Sequence, residues 1–246
     1  MEKQELILNG NIDPSAPIGI FDSGVGGLTV AREIMRQIPN ERLVYFGDTA
    51  RVPYGNKSKE TITKYSKQII RFLKTQNVKA IVVACNTASA YALDEIEKEL
   101  EIPIIGVVKP GAKVAAEATR NKKVGVIATA GTIQSRIYAE YIEGIDKDIR
   151  VIGKACPLFV PLVEEGLLED PVTDEIATRY LNELKDLDID TLILGCTHYP
   201  LIRSTLGRIM GEKVTLVNPA YETAVELRAL LEREGLLNPS TNRLGT

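Results

Sequence analysis

The sequence has no tryptophan, one histidine and three cysteines among its 246 residues. A zinc centre built from Cys and His alone would need all four of these side chains together, so metal chemistry of that kind has almost nothing to draw on. An odd, low cysteine count excludes a disulfide framework and fits a reducing compartment. No uninterrupted apolar run approaches the roughly 20 residues needed to cross a bilayer. Residues 1–16 mix charge, Asn, Gly and Pro, and lack the basic start and apolar core of a secretion signal; they read as a frayed lead-in. The expected place is the cytoplasm, away from any membrane. Charge of one sign is also missing. Thirty Lys and Arg stand against 33 Asp and Glu, a formal net charge of −3. That is not the footprint of a protein held to nucleic acid by a basic surface. What remains is a globular composition, 44% hydrophobic and 26% charged, long enough to bury a core without staples as one large domain or two small ones.

The chain alternates short apolar runs with amphipathic stretches. Strands are expected at Ile18–Phe21, Leu43–Phe46, Ala80–Ala84, Ile104–Val108, Val124–Ala128, Val151–Ile152, Thr191–Leu194 and Val214–Val217. Helical spacing marks Leu28–Ile38, Thr61–Lys74, Ser89–Leu100, Ile133–Ile142, Pro157–Glu165, Val172–Lys185, Ile202–Met210 and Ala224–Glu234. Continuously apolar strands alternating with helices predict an α/β, doubly wound architecture with mostly parallel sheets.

The pattern also repeats. Ile18-Gly-Ile-Phe-Asp-Ser-Gly24 matches Val124-Gly-Val-Ile-Ala-Thr-Ala-Gly131, and Ala80-Ile-Val-Val-Ala-Cys-Asn-Thr87 matches Thr191-Leu-Ile-Leu-Gly-Cys-Thr-His198, at offsets of 106 and 111 residues. This predicts two pseudo-symmetric lobes with a site in the cleft between them, where the strands' carboxyl ends converge. The first lobe is expected to comprise residues 1–106 and 216–246, and the second residues 107–215.

The scarce reactive residues fall at those strand ends. Cys85 and Cys196 each close a buried-looking strand and open a helix. Backbone N–H groups and the helix dipole there favour a thiolate and bind anions. Two thiols facing each other suit a two-base racemase, which takes a proton from one face of a carbon and returns one to the other. They also suit a redox pair. Cys156 has no evident repeat partner and reads as structural. His198, two residues after Cys196, is suited to hold that thiol as thiolate or to bind an anion, or else is a hydrogen-bonded structural residue. Asp22-Ser23 precedes a Gly-rich turn that lacks dinucleotide-binding spacing. Asp22 fits a partner for a substrate ammonium, an orienting group for Cys85, or a helix cap. Arg51 is equally an ion-pair partner of Asp48 or a ligand-binding residue. Pro53-Tyr54-Gly55 is a turn presenting N–H groups and a phenol. Glu164-Glu165-Gly166 ends a short helix and reads as solvated surface.

Taken together, Asp22-Ser-Gly-Val-Gly-Gly-Leu28, Gly47-Asp-Thr-Ala-Arg-Val-Pro-Tyr-Gly55, Ala84-Cys-Asn-Thr-Ala-Ser-Ala90, Ala128-Thr-Ala-Gly-Thr-Ile133, Cys156-Pro-Leu-Phe-Val160 and Gly195-Cys-Thr-His-Tyr-Pro-Leu201 resemble the glutamate racemases of the aspartate/glutamate racemase superfamily. The resemblance runs in family order over about residues 17–235. It implies racemisation of glutamate without a cofactor or metal, supplying D-glutamate for bacterial peptidoglycan, by a homodimeric enzyme. It implies that Cys85 and Cys196 are the two bases, with Asp22 beside Cys85, His198 assisting Cys196 and Glu164 a further acidic helper. Ser23, Tyr54, Gly55, Asn86, Thr87, Thr132 and Thr197 then look like substrate-binding positions.

The sequence departs from the family in two places. Asn218 stands where many members have Asp after the late strand. The chain also stops at Leu244-Gly-Thr246, where members usually continue with another strand and helix. Competing expectations are a racemase of aspartate or a similar acid, a thiol hydrolase using Cys196 with His198, and a binding protein that keeps the fold without turnover.

Overall fold

The structure is a computed structural model and describes residues 12–240. Most of the expected lead-in, and Leu244 to Thr246, lie outside the described residues. The strands are β1 (Ile18–Asp22), β2 (Leu43–Gly47), β3 (Ala80–Val83), β4 (Ile104–Gly106), β5 (Lys123–Ala128), β6 (Arg150–Ala155), β7 (Thr191–Gly195) and β8 (Thr215–Val217). They form two parallel four-stranded sheets, ordered β2-β1-β3-β4 and β6-β5-β7-β8. The second order repeats the first strand for strand, which is the repeat read from the sequence.

The helices are α1 (Leu28–Gln37), α2 (Lys59–Thr75), α3 (Asn86–Glu97), α4 (Val108–Ala118), α5 (Ala130–Gln134), α6 (Ile137–Ile145), α7 (Phe159–Glu164), α8 (Pro171–Asp186), α9 (Arg203–Met210) and α10 (Pro219–Arg233). Alternate strand residues point to opposite sheet faces, and each face carries helices. Ile18, Ile20, Ala80 and Val82 pack under α1 and α10. Phe21, Ile81 and Val83 pack under α2 and α3. In the second sheet, Ile127, Leu192 and Leu194 pack under α7, α8 and α9, and Val124, Val126 and Ile193 under α4 and α6.

Four expectations need correcting. The stretch expected as a strand to Val108 ends at Gly106, and an unanticipated helix, α4, begins at once. Its small residues and Pro110, which a helix tolerates in its first turn, hid the helical period. The helix expected from Ser89 starts at Asn86, which makes Cys85 its N-cap. The single helix expected over 133–142 is two, α5 and α6, broken at Arg136 with a left-handed φ of 57°. The strand expected at Val151–Ile152 runs from Arg150 to Ala155, because Gly153 and Lys154 interrupt the apolar run without interrupting the ladder. Residue 216, at which the first lobe is expected to resume, lies in β8, which pairs with β7. The chain leaves the second sheet after Val217, and α10 then packs into the core of the first.

Candidate active site

Between the two sheets' carboxyl ends lies a cavity of about 440 Å³. Ten of the residues singled out in the sequence line it: Ser23, Tyr54, Gly55, Cys85, Asn86, Thr87, Glu164, Cys196, Thr197 and His198. The other two sit just behind its wall. Asp22 is fully buried at the end of β1, and Thr132 lies behind Thr87 and Thr129. Val52, Pro53, Pro157, Val160 and Pro161 supply an apolar rim, which can exclude water from a polar floor.

Cys85 follows β3 and caps α3: its Sγ accepts from Ala88 N at 3.5 Å. The thiol donates to Ser23 Oγ at 3.6 Å. The helix terminus was expected to favour a thiolate, but burial outweighs it. Burial, with the nearby Asp22, pushes the Cys85 thiol up to about 11. Asp22 Oδ2 accepts from Gly24 N and Gly27 N, both at 3.0 Å, so it caps the glycine turn before α1. Its Oδ1 has no hydrogen-bond partner. Burial raises the Asp22 carboxyl, against the pull of those backbone donors and of His198. A fully buried carboxylate oxygen without a partner is costly, and this one lies one residue from Ser23, the thiol's own partner.

Cys196 follows β7 at the corresponding place. Its Sγ lies 3.8 Å from His198 Nδ1, and His198 Nε2 lies 2.9 Å from Glu164 Oε1 at the end of α7. Burial pushes this thiol up too. Glu164, which composition placed on the surface, therefore completes a thiol–imidazole–carboxylate chain, with its own side chain 45% exposed. The two thiols have equivalent positions but different helpers, because the repeat puts Ala128 opposite Asp22 and Thr87 opposite His198.

The remaining groups tie the lobes together. Thr87, Thr129 and Thr132 form a triangle of hydroxyls at 3.0 to 3.2 Å. Gly55 O accepts from Gly131 N at 2.8 Å, Asn86 Oδ1 accepts from Tyr138 OH at 2.7 Å, and Thr197 O accepts from Thr29 Oγ1 at 2.9 Å. Asp48 takes both Arg51, at 2.8 Å, and the Tyr54 hydroxyl, so Arg51 is an ion-pair partner. Asn218 Oδ1 accepts from Ala220 N at 3.1 Å and caps α10.

The sequence reading missed Thr129, which lines the cavity and is the repeat counterpart of Ser23; aligning the two segments would have found it. It also missed that Cys156 has a counterpart. Cys156 N donates to Ala128 O at 2.9 Å as Asp48 N donates to Asp22 O at 3.0 Å, so the two residues hold equivalent places. The Cys156 side chain is buried in the second core. Among the described residues, no group of three or more His, Cys, Asp or Glu could hold a metal ion, and no helix is long and apolar enough to cross a membrane.

Comparison with known proteins places these features in context. Residues 18–227 match the Asp/Glu/hydantoin racemase family. The glutamate racemase of Geobacter metallireducens is 51% identical over 230 residues, covering 94% of this chain and 85% of that protein. The crystal structure of glutamate racemase isoform RacE1 from Bacillus anthracis superposes with a TM-score of 0.90 at 45% identity, covering 92% of this chain and 85% of that one. That of the glutamate racemase from Francisella tularensis, in complex with D-glutamate, gives 0.87 at 42% identity, covering 93% and 86%.

Proposed function

The chain belongs to the Asp/Glu/hydantoin racemase family, among its glutamate racemases, and from that membership we propose that it interconverts L- and D-glutamate without a cofactor, with Cys85 and Cys196 as the two bases. The observation that supports the mechanism is that both thiols line one cavity, from equivalent strand ends of opposite sheets, Cys85 beside the Ser23 hydroxyl and Cys196 beside the His198 imidazole.

The chemistry follows from that placement. Glutamate sits with its Cα between the sulfurs. One cysteine, as thiolate, takes the Cα proton from one face. The carbanion's charge spreads into the α-carboxylate, and fixed donors meet it there: the amide of Asn86, the hydroxyls of Thr87 and Thr197, and backbone N–H groups of the strand-end turns. The other cysteine, as thiol, gives its proton to the opposite face. One proton has left and one has arrived, the configuration is inverted, and the thiolate has changed sides. Another turnover in the same direction needs a proton returned across the site. His198 with Glu164, and Asp22 near Cys85, stand where they can relay it.

Burial pushes both thiols up, toward the neutral form. The substrate's ammonium counters this, since a cation beside a thiol favours the thiolate. The buried Asp22 carboxyl, just behind the cavity wall, is suited to favour that ammonium by its charge or through a bridging water. The apolar rim of Val52, Pro53, Pro157, Val160 and Pro161 excludes bulk water and strengthens these interactions.

The Cys196–His198–Glu164 chain also favours a second reading, a thiol hydrolase, which predicts an acyl-enzyme burst and indifference to Cys85. The place of Cys85 on the same cavity favours the racemase. The rest of the proposal follows the family: a cytoplasmic homodimer whose D-glutamate enters peptidoglycan, and two lobes, one of them discontinuous and completed by α10. The test is polarimetric: purified protein given either enantiomer of glutamate and no cofactor loses optical rotation to zero. A rotation that does not change with time overturns the reading.

A further inference from the structure

One buried side chain reaches from one thiol's neighbourhood to the other's. Tyr138, on α6 of the second lobe, is 3% exposed and does not line the cavity. Its ring lies over Gly195, the residue before Cys196: a Cβ on Gly195 would stand 3.3 Å from Tyr138 Cε2 and 2.8 Å from Ile127 O. Its hydroxyl crosses to the first lobe and donates to Asn86 Oδ1, the residue after Cys85, at 2.7 Å.

An asparagine amide has one acceptor end and one two-donor end. With the Tyr138 hydroxyl donating to its acceptor end, Asn86 turns its N–H2 end to the cavity it lines. That end matches a carboxylate; the opposite flip would set a carbonyl oxygen against one. A phenol beside a buried amide pays a desolvation cost if left unpaired.

We propose that Tyr138 is a positioning residue, which locks the Asn86 amide with its donors toward the substrate carboxylate and holds that amide at a fixed distance from the Cys196 strand end. This rests on the reading of Asn86 as a carboxylate-binding residue. Tyr138 touches neither substrate nor thiol proton; it acts through Asn86.

The test is a double-mutant cycle on the intact enzyme, with Tyr138→Phe, Asn86→Ala and the pair, read as racemisation kinetics beside thermal unfolding. Tyr138→Phe keeps the ring over Gly195 and removes one hydroxyl. It is expected to lower kcat/KM about tenfold, the worth of one buried hydrogen bond, with most of the loss in KM. In the Asn86→Ala background the same change is expected to cost less than about twofold, because the amide it orients is gone. An equal cost in both backgrounds overturns the inference, as does a Tyr138→Phe enzyme within about twofold of the parent. An Asn86→Ala enzyme with unchanged KM removes the reading of Asn86, and the inference falls with it. If Tyr138→Phe unfolds at the assay temperature, Asn86→Asp decides. It keeps an acceptor for the phenol and replaces the amide donors with a carboxylate oxygen. A rise in KM of about tenfold or more is expected, and an unchanged KM overturns the inference.

Discussion

Gly26 has no side chain and lies in the first lobe, yet it abuts Thr197 and His198 of the second. A Cβ at that position would stand 2.4 Å from Thr197 Oγ1 and 2.5 Å from both Cε1 and Nδ1 of His198. Non-bonded carbon contacts are comfortable near 3.5 Å, so Gly26→Ala drives the imidazole back by about 1 Å. The ring has nowhere neutral to go. Its Nδ1 faces Cys196 Sγ at 3.8 Å, and its Nε2 is held by Glu164 at 2.9 Å. A retreat from Gly26 spoils one or both. Misplacing a catalytic group by about 1 Å costs on the order of 10²-fold, and that is the fall expected in kcat/KM. The two enantiomers have equal free energy, so kcat/KM must fall by the same factor in both directions. Overpacking of this size costs about 1–3 kcal/mol of stability, a drop of several degrees in Tm that leaves the enzyme folded at 25 °C. Racemisation followed by circular dichroism measures the first effect and thermal unfolding the second. Gly144→Ala on α6, where a new Cβ meets nothing within 4 Å, is the matched control and changes neither. A Gly26→Ala enzyme within twofold of the parent's kcat/KM would refute the assigned place of His198.

Three further outcomes are expected. Glu164→Gln keeps an acceptor for His198 but removes its charge. Glu164 is partly exposed and such pairs contribute little to stability, so Tm should stay within a few degrees while kcat/KM falls about tenfold; an unchanged rate would detach Glu164 from the relay. Iodoacetamide should modify Cys85 and Cys196 slowly at neutral pH and faster as pH rises, because burial holds both thiols neutral. Glutamate should protect them, and peptide mapping that finds Cys156 modified first would contradict the cavity assignment. Urea unfolding should show stability falling as pH rises above about 8.5. There the unfolded chain releases thiol protons that the folded one still holds, through about 11 for Cys85 and about 12 for Cys156. Stability that instead rises over this range would reverse the sign derived from burial.

The sequence made the sheets legible because β1, β3, β5 and β7 are buried on both faces and so read as unbroken apolar runs. Their ends then located Asp22, Cys85 and Cys196 directly. The repeat pointed to a second lobe built like the first, and the strand orders of the two sheets match. What the sequence did not show depended on distance in space. Glu164 looked like surface because its partner His198 is 34 residues away. Tyr138 looked like an ordinary helix residue because its hydroxyl meets Asn86 across 52 residues. Gly26 read as part of a poor nucleotide motif because the side chains that fill its missing Cβ come from the other lobe. Helix α4 stayed hidden because Ala, Gly and Pro carry little hydrophobic period, although they suit its close packing beside α10.

The central claim is that two thiols exchange roles across one carbon. It is tested most directly by incubating L-glutamate in deuterium oxide with the parent, Cys85→Ser and Cys196→Ser enzymes, following Cα deuterium and optical rotation together. The account predicts that the parent racemises glutamate with solvent deuterium at Cα and no added cofactor, and that either substitution nearly abolishes racemisation. Full racemase turnover with either thiol removed, or racemisation without deuterium entering Cα, would contradict it.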